Sequence, residues 1–288
     1  MNTAIITGSG GFIGRHLQPA LEQAGWAVVG LPRSVADITD QRQALQNKRP
    51  AEALIHLAFP TSASFRREHP EEARRQVEAS TANALELAEA CNARQVILAS
   101  SGKVYGNPGQ LPTNEDCPPE PTTFLGELKL LQEEILQAGA GRRGTTSLRL
   151  FNVYGPGAPA GFLIPRLIAG FTDSGRLVLG ELDHRRDWVH LDDVCAAFVT
   201  ALVHPADLGN FRALNVGSGR SASARELIRL LAGLSGRNPE IVQEQGRLRP
   251  DEPAEERADC ARLEALGWRA ETDLETGIRR LWGSGPSG

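Results

Sequence analysis

The sequence predicts an α/β protein, a doubly wound parallel sheet with a smaller C-terminal lobe. Three observations carry that prediction. Residues 3–14 run a β-branched strand straight into Gly8, Gly11 and Gly14 and then into a helix. Apolar strands and amphipathic helices alternate from there to residue 150, the pattern of a parallel sheet with helices on both faces. Beyond 151 the pattern loosens, with Gly- and Pro-rich breaks at 155–161. At 288 residues the chain is long enough for one large domain or a domain with a lobe.

The opening glycines suit a turn that holds phosphates. Gly8 permits the tight turn, Gly11 lets the backbone approach a pyrophosphate, and Gly14 lets the helix pack close to its strand. The helix N-terminus then faces the anion. A helix is expected over 13–24 and a strand at 26–31. The end of that strand is where an acidic residue would hold the ribose hydroxyls of NAD. Pro32, Arg33 and Ser34 stand there instead, and a guanidinium with a hydroxyl suits a 2′-phosphate, so NADP is expected, with NAD the alternative. The stretch Asp37-Ile38-Thr39-Asp40 caps a helix over 40–48, a buried strand covers 54–59, and a long amphipathic helix covers 70–92. A strand over 96–100 leads into Ser100, Ser101 and Lys103; a Pro-rich loop, a helix over 124–138 and a strand over 146–150 follow. Ligands of such sheets bind beyond the carboxyl ends of the strands, here near Gly8, Pro32, Phe59, Ser101 and Phe151. The expected division is a dinucleotide-binding domain over 1–150, a substrate lobe over 151–282 and a disordered tail over 283–288.

Composition narrows the function. A net charge of −4 and the lack of a basic run with interleaved aromatics argue against nucleic-acid binding. No apolar run approaches the length of a membrane span, and the N-terminus opens directly into a strand, so a cytoplasmic protein is expected. Cys91, Cys117, Cys195 and Cys260 are scattered without metal-ligand spacing, which fits a reduced protein with no metal site. Lysine is rare: Lys48, Lys103 and Lys129 are the only three, and Tyr105 and Tyr154 the only two tyrosines.

These motifs together resemble the extended short-chain dehydrogenase/reductase family, in its NAD(P)-dependent nucleotide-sugar epimerase/dehydratase branch, which has a Rossmann sheet. Thr7, Gly8, Gly11, Phe12, Ile13 and Gly14 match its T-G-x-x-G-F-I-G. Asp37 and Ile38 look like the pair that contacts adenine, and His56, Leu57 and Ala58 the strand end over the dinucleotide. Asn83 matches an asparagine that is usually structural. Ser101, Val104, Tyr105 and Gly106 resemble S-x-x-V-Y-G, whose serine touches the sugar. Arg149, Asn152, Tyr154, Gly155 and Pro156 resemble R-x-x-N-V-Y-G-P; Arg186, Asp187, Trp188, Val189 and His190 resemble R-D-[FWY]-[IV]-H. The resemblance implies that Arg186 and Arg249 reach the diphosphate of a nucleotide-diphosphate sugar and that Asn152 caps the same ligand. It also implies a homodimer through helices 70–92 and 124–138.

The reaction centre departs from the family. There, a Tyr four residues before a Lys places phenol and ammonium on one helical face, and the phenolate moves the substrate proton. Lys129 fits the lysine, but the position four before it is Leu125, and the chain has no Y-x-x-x-K. The acid/base pair of the family's dehydratases is replaced by Gly102 and Lys103, which argues against elimination of water. One reading is a nucleotide-sugar epimerase or 4-keto-sugar reductase with a rebuilt relay: Ser101 and Lys103 move the proton with Glu127, and Lys129 orients the cofactor ribose. A second is a non-redox protein that binds cofactor and sugar nucleotide. A third is a general NADP-dependent ketone reductase.

Overall fold

The computed structural model describes residues 2–60, 62–173, 175–244 and 252–283. In chain order the first half forms β1 (Thr3–Thr7), α1 (Gly14–Gln23), β2 (Ala27–Leu31), α2 (Gln41–Gln46), β3 (Ala53–His56), α3 (Ala63–Glu68), α4 (Pro70–Ala90), β4 (Gln95–Ser101), α5 (Phe124–Ala138) and β5 (Gly144–Leu150). A 3-10 turn, Gly102–Tyr105, follows β4. The second half forms β6 (Asn152–Tyr154), α6 (Leu163–Thr172), β7 (Arg176–Leu179), β8 (Arg185–His190), α7 (Leu191–Val203), β9 (Phe211–Val216), β10 (Ser221–Ser223), α8 (Ala224–Ser235), β11 (Glu240–Gln243), α9 (Ala261–Glu264) and α10 (Leu274–Gly283).

Six strands pair in the order β2-β1-β3-β4-β5-β9, all parallel. Alternation along each strand sorts the core into two layers. Ala4, Ile6, Ala53, Ile55, Ile97 and Ala99 pack toward α1 and α7. Ile5, Leu54, Val96 and Leu98 face the opposite way, toward α4 and α5. This is the expected doubly wound sheet. The strand order reverses between β1 and β3, so the crevice at their carboxyl ends is the topological switch point. The sixth strand, β9, comes from residues well past 150.

The remaining strands form two small sheets, β10-β8-β6 and β11-β7. With α6, α8 and α10 they enclose a separate cluster around Tyr154, Phe171, Leu227 and Ile278. Gly283 is the last residue of α10; residues 284–288 of the expected tail lie outside the described residues. No described helix is long and apolar enough to cross a membrane.

Two local differences from the sequence reading have physical reasons. The strand expected over 54–59 ends at His56, because its ladder partner β1 ends at Thr7 and turns away at Gly8. Phe59 is thereby released to pack on α4 and α5. The short helix α3 was not expected; the Ser62 hydroxyl accepts from the Phe65 amide at 3.2 Å and caps it.

Candidate active site

The glycine turn seats itself against the neighbouring strand. Gly8 has φ +71°, and a Cβ there would lie 2.7 Å from the Ala58 nitrogen. At Gly14 a Cβ would lie 2.6 Å from Ser9 Cα and carbonyl oxygen, so this glycine closes α1 onto the turn rather than onto the strand. The Gly11 amide donates to the Gly8 carbonyl at 3.0 Å. Phe12 and Ile13 lead into the first turn of α1, which no side chain caps, so the positive end of the helix dipole faces the switch point and favours an anion there. Beneath the turn, Thr7 Oγ1 and His56 Nδ1 are hydrogen-bonded at 2.7 Å, and His56 Nε2 is buried with no partner among the described residues. Burial, then the Lys129 ammonium, pushes the His56 ring down to about 3. Leu57 continues from β3, its amide donating to the Thr7 carbonyl of β1 at 3.1 Å. These residues fit a dinucleotide: the tight turn requires glycine, and it opens on a helix N-terminus.

The residues expected to border adenine are also placed. Asn83 Nδ2 donates to the Ile38 carbonyl at 2.9 Å and ties α4 to that loop. Arg33 and Ser34 are exposed at the end of β2. The Arg33 guanidinium pairs with Asp37 at 3.1 Å, and Asp37 also accepts from the Thr39 amide and hydroxyl.

Beyond β4 the reaction centre takes shape. Ser101 Oγ accepts from the Lys103 amide at 3.2 Å and caps the 3-10 turn. Gly126 lets α5 close on that turn, since a Cβ there would lie 2.4 Å from the Lys103 carbonyl. One turn on, Lys129 is buried. Its Nζ donates to the Ala99 carbonyl at 2.7 Å and to Gln132 Oε1 at 2.9 Å, and lies 3.9 Å from the Phe59 ring centroid. Burial, aided by the Arg66 guanidinium and partly opposed by Glu133, lowers its pKa to about 7. Leu125 lines a cavity of ≈ 340 Å³ with Ala63, Arg66, Arg67, Pro70 and Phe124.

Both tyrosines are committed elsewhere. Tyr105 donates to Asn215 Oδ1 at 2.7 Å, and burial pushes its phenol up to about 12. Tyr154 is buried in the lobe, and burial again raises its phenol. Glu127 is not brought to the centre. It is half-exposed and lies 3.8 Å from Arg74 of α4, because two residues along a helix turn a side chain to the far side from Lys129.

On the substrate side, five residues from distant stretches meet. Lys103 Nζ is 2.6 Å from Glu256 Oε1 and 3.6 Å from Glu252 Oε2. Asn152 Nδ2 donates to Glu256 Oε2 at 3.2 Å. Arg186 gives Nη1 to the carbonyls of Arg185 and Pro253, both at 2.9 Å. Its Nη2 goes to Glu252 at 2.8 Å and His184 at 3.4 Å, and its Nε lies 3.5 Å from Glu256. The whole guanidinium fork is thus engaged by protein acceptors. Its neighbour Asp187 is buried and accepts from the amides of Ser218, Gly219 and Ala258, which fixes β8 in place. Arg249 lies outside the described residues, as do Pro250 and Asp251. Glu252 and Glu256 escape sequence reasoning, because an acidic stretch reads as a solvated face and no spacing rule aims it inward.

The chain is similar to known proteins along most of its length. A model of the NAD dependent epimerase/dehydratase family matches residues 4–217. GDP-6-deoxy-D-mannose reductase of Pseudomonas aeruginosa is 32% identical over 295 residues, covering 96% of this chain and 94% of the relative. UDP-glucose 4-epimerase of Azospirillum brasilense is 29% identical, covering 96% and 89%. The structure of RMD from Pseudomonas aeruginosa complexed with NADPH superposes with a TM-score of 0.87 at 28% identity, over 100% of both chains. With a family match across most of its length and relatives that are nucleotide-sugar reductases and epimerases, the chain belongs to the NAD dependent epimerase/dehydratase family.

Proposed function

We propose that the protein is an NAD(P)-dependent nucleotide-sugar reductase that takes a 4-keto sugar, carried on a nucleoside diphosphate, to the alcohol. The observation that carries this reading is the make-up of the reaction centre: two ammonium groups, Lys103 and Lys129, and Leu125 where a phenol would stand. Reduction asks the protein to deliver a proton to a new alkoxide. Epimerisation also asks it to take one from an alcohol, and an amine already ion-paired with a carboxylate serves that step poorly. The reductase relative and the NADPH-bound structure support the same choice.

In this reading the cradle of Gly8, Gly11, Phe12, Ile13 and Gly14 holds the pyrophosphate, Asp37 and Ile38 border adenine, and Leu57 and Ala58 lie under the dinucleotide. Arg33 and Ser34 favour the 2′-phosphate of NADP, with Arg33 released from Asp37. A bound nicotinamide supplies hydride. Ser101 hydrogen-bonds the substrate carbonyl, and Lys103 Nζ passes its proton to that oxygen. Lys129 has two of its three donors engaged and offers the third to the ribose. Asn152, Arg186 and Arg249 receive the nucleotide sugar, Arg186 by exchanging protein partners for phosphate. Dimerisation through α4 and α5, which pack on one another, belongs to the same proposal, and light scattering checks it against a mass of two chains.

The test is turnover of GDP-, UDP- and dTDP-linked 4-keto sugars with NADPH and NADH. The expected outcome is oxidation of the nicotinamide by the wild type and its loss in Lys103→Met, which still binds cofactor. The leucine at 125 favours one other reading, a non-redox binder of the same ligands. Tight cofactor binding with no turnover on any keto sugar would establish it in place of ours. Equal turnover of a simple ketone, with Arg186→Ala leaving KM unchanged, would establish a general ketone reductase.

A further inference from the structure

Glu256 has no role in the motifs that pointed to the site, yet it touches three of the residues they named. Its backbone is held on both sides. The Arg185 amide donates to the Ala254 carbonyl at 2.8 Å, and the Glu256 amide donates back to the Arg185 carbonyl at 3.0 Å. The Thr113 amide donates to the Arg257 carbonyl at 2.8 Å, and the Ala258 amide to buried Asp187 at 3.0 Å. The carboxylate therefore starts from a fixed base, on a residue that is only 9% exposed. One oxygen meets Lys103 Nζ at 2.6 Å; the other takes Asn152 Nδ2 at 3.2 Å and sits 3.5 Å from Arg186 Nε.

We infer that Glu256 is the positioning residue of the proton-delivering side of the site: it fixes the Lys103 ammonium against Asn152 and Arg186. The inference rests on the reading of Lys103 as proton donor. A lysine side chain is flexible, and held by nothing it would spread its ammonium over many rotamers. A carboxylate on a rigid segment restricts it to one. The same carboxylate orients the Asn152 amide, because an anion accepts only and must face the amide nitrogen. Among the described residues, the charged groups around the Lys103 ammonium are Glu252 and Glu256 from the C-terminal segment and Arg186 from β8, which bridges both acids. On the α5 side Gly126 packs on the Lys103 backbone, and Glu127 is turned away to Arg74.

Glu256→Gln keeps the shape and removes the charge; it is compared with Glu256→Asp and Lys103→Met in the intact chain, with NADPH binding and the melting curve confirming that each variant is folded. In Glu256→Gln, kcat is expected to fall roughly a hundredfold with KM for the keto sugar little changed, the cost of a misplaced reacting group. Glu256→Asp, which keeps the anion on a shorter arm, recovers part of kcat. If Lys103→Met is inactive while Glu256→Gln keeps its kcat, or if Glu256→Asp recovers none of the loss, Glu256 has no positioning role and the inference is overturned alone. If Lys103→Met turns over like the wild type, the donor reading itself fails and the inference falls with it.

Discussion

Lys129 is a charged group held where charge is costly. Burial lowers its pKa to about 7 from the usual 10.5. Between those values the unfolded chain carries a proton that the folded chain lacks, so folding stability rises with pH across that window; below it both states are protonated and the full penalty applies. Lys129→Met removes the penalty. Its stability is expected to be flatter than the wild type's from about pH 7 to 10.5, by urea unfolding at a series of pH values. His56 runs in the same sense at lower pH, since its ring is depressed to about 3 from 6.5 and stability falls as pH drops through that range. At this scale the sequence was informative where a residue type answers a backbone demand, as at Gly8, or stands at a fixed helical offset, as at Lys129. The replacement at 125 was visible for the same reason. Glu252 and Glu256 were invisible because their partners come from stretches far away in the chain, and no local pattern says where those stretches meet.

At the scale of the element, α5 is pinned to the sheet by one carboxylate. Glu133 accepts from Ser100 at 2.5 Å, Ser147 at 2.7 Å and the Arg149 fork at 2.7 Å, joining the helix to β4 and β5 at once. The pair is almost wholly enclosed, so removing one partner strands the other. Glu133→Ala is expected to lose about 3–5 kcal/mol of stability, read by denaturant midpoint, with Arg149→Met costing a similar amount. Double replacement by well-packed apolar residues should cost less than either single change, because no charge is then left unpaired. Helix α5 was legible in its full extent from its apolar spacing, and α4 nearly so. The early stop of β3 was not, because it is set by the end of β1 on one side of the strand, a partner far away in the sequence. Helix α3 was overlooked because it is short and its only strong signal is the Ser62 cap.

Over the whole molecule, the two halves share a core. Val189 of β8, Val194 and Phe198 of α7, and Trp268 near the C-terminus pack in one cluster with Ile6, Ile97 and Leu148 of the main sheet. Trp268 Nε1 also donates to the Asp193 carbonyl at 2.9 Å, and the Asp193 carboxylate receives the amides of Glu271 and Thr272. Calorimetry is therefore expected to show one cooperative transition, with matching van't Hoff and calorimetric enthalpies, and not separate melting of a sheet domain and a lobe. The alternating strands and helices announced the sheet, but β9 did not, since its composition carries no mark of which sheet it joins. The placement of Glu256 has one more consequence. The glycine turn proposed to cradle a dinucleotide is written at the start of the chain, in Gly8, Gly11 and Gly14. The Lys103 cluster draws instead on residues 103, 152, 186, 252 and 256. A chain clipped or stalled before Glu252 would still carry the glycine turn but not the two carboxylates that hold Lys103, so in the proposed reading cofactor recognition is a local word while substrate chemistry needs the completed sentence.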